Sequence, residues 1–154
     1  TFGEMAFKQK AVKVRKFETE KGIILGGFAG AAADALTLFE RFESKLEEFE
    51  GDLTRAVVEL AKEWRIDKYL RNLEALLALM DKKNAFIVSG DGNVIQPDGP
   101  IISIGSGGGF AQAAATAYLK SSNYSAKKVV EKSLQIAADL CIYTNDSITV
   151  LECK

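Results

Sequence analysis

A single serine set among glycines, Gly105-Ser106-Gly107-Gly108-Gly109, is the most chemically suggestive run of the chain. It follows the apolar stretch Ile101–Gly105 and precedes an amphipathic segment. It therefore reads as a strand turning into a helix through residues small enough for a tight turn. A phosphate cradle at a helix N-terminus is one chemistry for such a turn. The pattern fails that chemistry. No Gly-Lys-Ser/Thr follows, and Phe110 stands where a dinucleotide fingerprint needs its third glycine. A tight structural turn is the generic reading. Lys13 is a second candidate, on a stretch where Val12 and Val14 alternate with Lys13 and Arg15. On residue type alone it is a solvated lysine on the charged face of a strand. The third is Ala138-Asp139-Leu140-Cys141-Ile142-Tyr143-Thr144. It reads as a helix end, where orphaned carbonyls gather at the negative end of the dipole and Cys141 is a small buried hydrophobe.

Composition removes whole classes of function. The 154 residues include no histidine, which excludes Ser-His-Asp and Cys-His catalysis and histidine zinc sites. Twenty basic and 21 acidic residues leave a net charge of −1, which gives no support to a nucleic-acid or polybasic membrane role. The uncharged run that opens at Gly22 stops at Asp34, too short to cross a bilayer. The chain starts at Thr1 with no signal-like apolar region. The two cysteines, Cys141 and Cys153, do not make a disulfide scaffold and read as reduced thiols of a cytosolic protein. The length and the 47% hydrophobic content suit one domain, residues 1–154, with a proper core.

The elements that must hold these residues follow from periodicity. Strands are expected at Ala11–Phe17, Ile23–Gly27, Ala75–Met80, Ala85–Ser89, Val94–Gln96, Ile101–Gly105 and Ile148–Glu152. A helix is expected over Ala31–Phe49, with Leu36, Phe39, Phe42, Leu46 and Phe49 as its apolar stripe. Gly51 suits its end, and Asp52 should cap a second helix carrying Leu53, Val57, Leu60 and Trp64 to about Leu73. Arg65, Asp67, Lys68 and Arg71 read as a solvated face of it. Turns fall at Asp81–Asn84 and Gly90-Asp91-Gly92. A third helix spans about Phe110–Leu119, and Ser125 caps a fourth carrying Val129, Val130, Leu134, Ala137 and Cys141. Segregated blocks of strands and helices indicate α+β. Phe28, Phe39, Phe42, Phe49 and Trp64 amount to more aromatic surface than one neighbouring sheet needs, and predict an oligomer.

Four blocks carry a specific resemblance. They are Gly26-Gly27-Phe28-Ala29-Gly30 with Ala33-Asp34-Ala35-Leu36-Thr37-Leu38-Phe39; Val57 and Glu59-Leu60-Ala61-Lys62-Glu63-Trp64-Arg65; Ile104-Gly105-Ser106-Gly107-Gly108; and Cys141-Ile142-Tyr143-Thr144-Asn145. In this order, over almost the whole chain, they resemble the HslV (ClpQ) family, the proteasome-like threonine proteases of bacteria. The resemblance implies a four-layer α-β-β-α sandwich of the N-terminal nucleophile hydrolase type. It implies a double hexameric ring in the cytoplasm that degrades unfolded proteins in a sealed chamber, fed by a hexameric AAA+ ATPase, HslU (ClpY). No ATP is expected on this subunit. Lys13 matches the family's catalytic lysine, whose charge keeps a neighbouring amine unprotonated and stabilises developing negative charge. Ser106 matches the serine that organises the nucleophile. The backbone carbonyls of Ala138, Cys141 and Thr144 match the family's sodium ligands. Lys8 and Arg15 match basic residues near the groove that receives the ATPase tail.

The same resemblance singles out the start of the chain. The family's mature enzyme begins Thr-Thr, followed by a hairpin and a Gly-Asp-Gly turn, with the N-terminal threonine as nucleophile. Thr1-Phe2-Gly3 instead matches the family's internal Thr-x-Gly beyond that turn. On this register roughly 20 residues, the length of a two-stranded hairpin, precede the match. The Gly90-Asp91-Gly92 turn lies mid-chain and is no substitute. The expectation is a proteolytic subunit or, alternatively, a truncated and inactive one that only assembles into rings.

Overall fold

The computed structural model describes residues 13–141 and 148–153. The elements run β1 (Val14–Thr19), β2 (Gly22–Ala29), α1 (Ala32–Glu48), α2 (Leu53–Ile66), β3 (Leu76–Met80), β4 (Ala85–Ser89), β5 (Val94–Ile95), α3 (Gly108–Ser121) and α4 (Ala126–Leu140). The five strands form one antiparallel sheet in sequence order. The fold is α+β, as the segregated blocks require.

Chain chemistry explains the boundaries. Thr19 closes the β1–β2 hairpin, its Oγ1 donating to the Gly22 carbonyl at 2.8 Å. Asp52 caps α2 by accepting from the Arg55 N–H at 3.2 Å, and Ser125 caps α4 through the Lys128 N–H at 3.2 Å. The second helix stops at Ile66, short of the expected Leu73. There the Asp67 carboxylate accepts from the N–H groups of Tyr69 and Leu70 at 2.9 and 3.0 Å, diverting the chain into a 3-10 turn at Leu70–Asn72.

The main core lies between one face of the sheet and the helix pair α1–α2. Phe17, Ile24, Phe28, Leu77, Leu79, Phe86 and Val88 come from the strands, and Leu38, Phe39, Phe42, Leu60 and Trp64 from the helices. Phe17 packs edge-on against Phe42, with ring centroids 5.1 Å apart, and against Phe39 at 5.9 Å. Gly26 permits this approach, since a Cβ there would stand 3.0 Å from the Phe39 ring and 3.1 Å from that of Phe17. The buried stripe of α1 is Ala35, Leu38, Phe39, Phe42 and Leu46; Leu36, expected in it, is 53% exposed. Phe28, Phe39, Phe42 and Trp64 are buried inside the protomer, and Phe49 is half-buried with the Arg55 guanidinium 4.5 Å from its ring.

The opposite face of the sheet meets α3 and α4 differently. These helices pack on each other through Ala111, Leu134 and Ala137. Between them and the sheet lies a cavity of about 420 Å³, bordered by Val14, Leu25, Met80, Ala115, Val130 and Ser133. Segments 100–103 and 150–153 also line it. Among the described residues, the strands expected at Ile101–Gly105 and Ile148–Glu152 form no ladder; Ile148 makes an isolated bridge. Their alternation is strand-like, but a strand also needs a neighbour to receive its backbone bonds.

Candidate functional site

Lys13 stands immediately before β1. Its carbonyl accepts from the Phe28 N–H at 2.9 Å, so the β1–β2 pairing already holds it in place. Next in the chain, Val14 pairs with Gly27 and lines the cavity. Arg15, on the other side of Val14, stacks its guanidinium over the Phe17 and Phe39 rings at 5.9 and 5.5 Å. The expected companion of Arg15, Lys8, lies outside the described residues.

Ser106 occupies the turn into α3 and is exposed. Buried Ile104 anchors the turn on one side. Gly105 takes φ +98°, which only glycine adopts without strain, and its carbonyl accepts from the Gly108 N–H at 3.1 Å. Ser103 pins the far side, its Oγ donating to the Gly108 carbonyl at 2.8 Å. Gly108 fits closely here: a Cβ would come within 3.2 Å of that Oγ, which would have to shift by a few tenths of an ångström. The turn thus presents Ser106 at the start of α3, whose first turn carries no acidic residue and no side-chain cap. No side chain of the helix itself offsets its positive end there, a setting that favours negative charge on a nearby atom.

Val14 and Ser103 border the same cavity, but neither Lys13 nor Ser106 is among its lining residues. Among the described residues, no hydrogen bond or ion pair joins Lys13 to Ser106. Asp91 of the Gly90-Asp91-Gly92 turn is occupied locally. It accepts from the Ser89 hydroxyl and from Asn93, and these bonds, Ser89 first, hold its carboxyl below the usual aspartate range. It is a turn residue.

Ala138 lies in the last turn of α4, and Cys141 ends the helix with φ −114° and ψ 118°. The Cys141 N–H returns to the Ala137 carbonyl at 2.9 Å. No basic residue stands in that last turn, so its carbonyls face no side-chain cation of their own helix. Asp139 is exposed. Thr144 lies outside the described residues. Among the described residues, no group of three or more His, Cys, Asp or Glu could hold a metal ion. Neutral carbonyls are the donors this helix end offers, and such donors suit a monovalent cation.

One charged cluster escapes a reading by residue type. Glu63 accepts from Arg41 at 2.8 Å and pairs with Lys45 at 3.2 Å, and Arg41 reaches Asp67 at 3.4 Å. Asp67 is therefore a structural hub rather than part of a solvated face. The spacing of Arg41 and Lys45, four apart on α1, was the available signal, but only packing of α1 on α2 supplies their partners.

Comparison with known proteins places these features in one family. A family model described as Proteasome subunit matches residues 1–153. The chain is 51% identical over 152 residues to the ATP-dependent protease subunit HslV of Aquifex aeolicus (strain VF5), covering 99% of this chain and 85% of that one. The crystal structure of eukaryotic HslV from Trypanosoma brucei superposes with a TM-score of 0.79 at 40% identity, covering 94% of this chain and 86% of that one. Among the described residues, no helix is long and apolar enough to cross a membrane.

Proposed function

Because the chain belongs to the HslV family of proteasome subunits, we propose that it is the proteolytic subunit of an ATP-dependent, threonine-type endopeptidase. The observation that carries this reading is the 51% identity over 99% of the chain to a protein named as that subunit. In this reading the subunits form a double hexameric ring in the cytoplasm. A hexameric HslU-type ATPase unfolds protein substrates and feeds them to the chamber. Lys13 lends its positive charge to keep a neighbouring amine unprotonated, so that the amine can take the proton of a threonine hydroxyl. Ser106, held by Gly105 and the Ser103–Gly108 bond, orients that amine and hydroxyl. The carbonyls of Ala138, Cys141 and Thr144 hold sodium, which would tie the end of α4 to the segment after it.

A second reading is a subunit that assembles without turnover. One experiment separates the two. The protein is mixed with an HslU-type ATPase and ATP, and hydrolysis of a fluorogenic peptide and of an unfolded protein is followed beside light scattering. Turnover lost in both Lys13→Ala and Ser106→Ala, with the ring mass unchanged, supports the protease. Rings without turnover support the assembly subunit. A Thr1→Ala variant tests the register: if it alone abolishes turnover, Thr1 is the nucleophile.

A further inference from the structure

The sequence holds two Asp-Gly pairs, Asp91-Gly92 and Asp98-Gly99, and no Asn-Gly pair. An aspartate before glycine can react with its own main chain. The glycine nitrogen turns back on the aspartate carboxyl carbon, and glycine has neither a side chain to obstruct the ring nor a strong preference of backbone angle. The reaction needs a main chain loose enough to bend, a glycine N–H not engaged elsewhere, and a carboxyl free to lose an oxygen as water.

The fold denies all of these at Asp91. The Gly92 N–H donates to the Ser89 carbonyl at 3.1 Å and closes the turn. The carboxylate accepts from the Ser89 hydroxyl, from the Asn93 N–H at 3.3 Å and from the Asn93 side-chain amide at 2.8 Å. These bonds, Ser89 first, hold the carboxyl in its ionised form, which does not release an oxygen. Asp98-Gly99 has the opposite setting. Pro97 and Pro100 bracket it, and Pro100 has no N–H, so no bond can close a four-residue turn over 97–100. Asp98, Gly99 and Pro100 are exposed, and a Cβ on Gly99 would meet nothing within 4 Å. Among the described residues, no hydrogen bond or ion pair holds Asp98 or Gly99.

We infer that Asp98 is a modification site, where the folded chain converts itself to isoaspartate while Asp91 is spared. The Gly99 nitrogen bonds to Asp98 Cγ and gives up its proton, and a carboxyl oxygen leaves as water, which closes a five-membered succinimide. Water then adds at the main-chain carbonyl carbon of Asp98 and breaks its bond to the Gly99 nitrogen. The chain now runs through the former side chain, and an α-carboxylate stands free. One water leaves and one enters, so composition is unchanged and no other reactant is needed. The exposed α-carboxylate is the group that an isoaspartyl carboxyl methyltransferase accepts. The added main-chain carbon enters the segment that leads to Ser103, whose hydroxyl holds the Gly108 carbonyl at 2.8 Å.

The test holds the whole protein for several weeks near neutral pH, with a parallel sample in guanidinium chloride. Isoaspartate is read by labelled methyl transfer from S-adenosylmethionine with such a methyltransferase, and the label is located by peptide mapping. Folded protein should carry at least about tenfold more label at Asp98 than at Asp91, since each hydrogen bond that must open at Asp91 slows ring closure by a further factor. In guanidinium the two sites should label alike. Asp98→Glu, which would need a larger ring, should lose the label at this position with circular dichroism unchanged. Equal labelling of Asp91 in the folded protein overturns the inference. So does label at Asp98 that appears only in guanidinium, because the fold then protects it. A preference for Asp98 that persists in guanidinium also overturns it, because the selectivity then belongs to local sequence and not to the fold.

Discussion

Glu63→Gln tests how α2 is fastened to α1. Glu63 receives Arg41 at 2.8 Å and Lys45 at 3.2 Å, and only 28% of its side chain is exposed. Arg41 is more open, at 40%, so solvent screens its share, whereas Lys45 is 21% exposed. Partly exposed pairs contribute up to about 1 kcal/mol each, and removing the carboxylate also leaves two cations side by side on α1. The expected loss is about 1.5 kcal/mol near pH 7. For a domain of this size that is about 3–6 °C in Tm. Burial pushes the Glu63 carboxyl up, but the bonds and charges of Arg41 and Lys45 outweigh it, so its pKa lies below the usual glutamate range. The sign follows from linkage. A depressed folded pKa stabilises fully above the unfolded value, and this is lost as pH falls through the folded value. Urea melts of both proteins across pH should therefore show a gap that is constant above the ordinary glutamate range and narrows as pH falls below it. A gap that does not narrow at acid pH would refute the ionic account and assign the loss to shape. A gap absent at pH 7 would show that the pairs do not hold the helices.

Phe42→Ala should cost about 3–5 kcal/mol in urea melts, since Phe42 is fully buried against Phe17, while Leu36→Ala should stay within about 0.5 kcal/mol. Gly105→Ala should cost about 1–2 kcal/mol because alanine is strained at φ +98°, and amide exchange at the start of α3 should quicken with it. Ser133→Ala removes a buried hydroxyl that has no partner among the described residues, so melts should show no loss or a gain of up to about 1 kcal/mol; a clear loss would reveal a partner. If sodium binds at the end of α4, exchanging it for a bulky organic cation at equal ionic strength should lower Tm, and an unchanged Tm would remove the site.

Much of this architecture is legible because local signals agree with it. Ala85–Ser89 matches its strand end to end, and Asp52 and Ser125 cap the helices that their positions announce. The serine of the glycine turn is legible for a similar reason, since only glycine tolerates the angles around it. Three features were not readable. Leu36 fits the α1 stripe by spacing, but the helix is rotated so that Leu38 fills that volume. The halt at Ile66 depends on one carboxylate competing for two N–H groups, which periodicity does not encode. The strand character of Ile101–Gly105 and Ile148–Glu152 depends on neighbours elsewhere. Lys13 and Ser106 show the same limit: residue type supplies a charge and a hydroxyl, but only the fold decides whether they share a task.

The separation of the two apolar clusters has a kinetic consequence. Phe17 through Val88 supply the main core, and nothing from α3 or α4 enters it. The α3–α4 hairpin is held by its own cluster of Ala111, Leu134 and Ala137, against which Val130 and Ile148 pack. Opening that hairpin away from the sheet breaks few of the contacts that fix the sheet. Protection against exchange should therefore fall into two tiers, with α3 and α4 opening together at lower cost than the β2–β3–β4 ladders. A nascent chain would complete its main core soon after Ile95 emerges. It would gain the helical hairpin as a late and reversible addition, so handling by proteases and chaperones should be decided at that hinge.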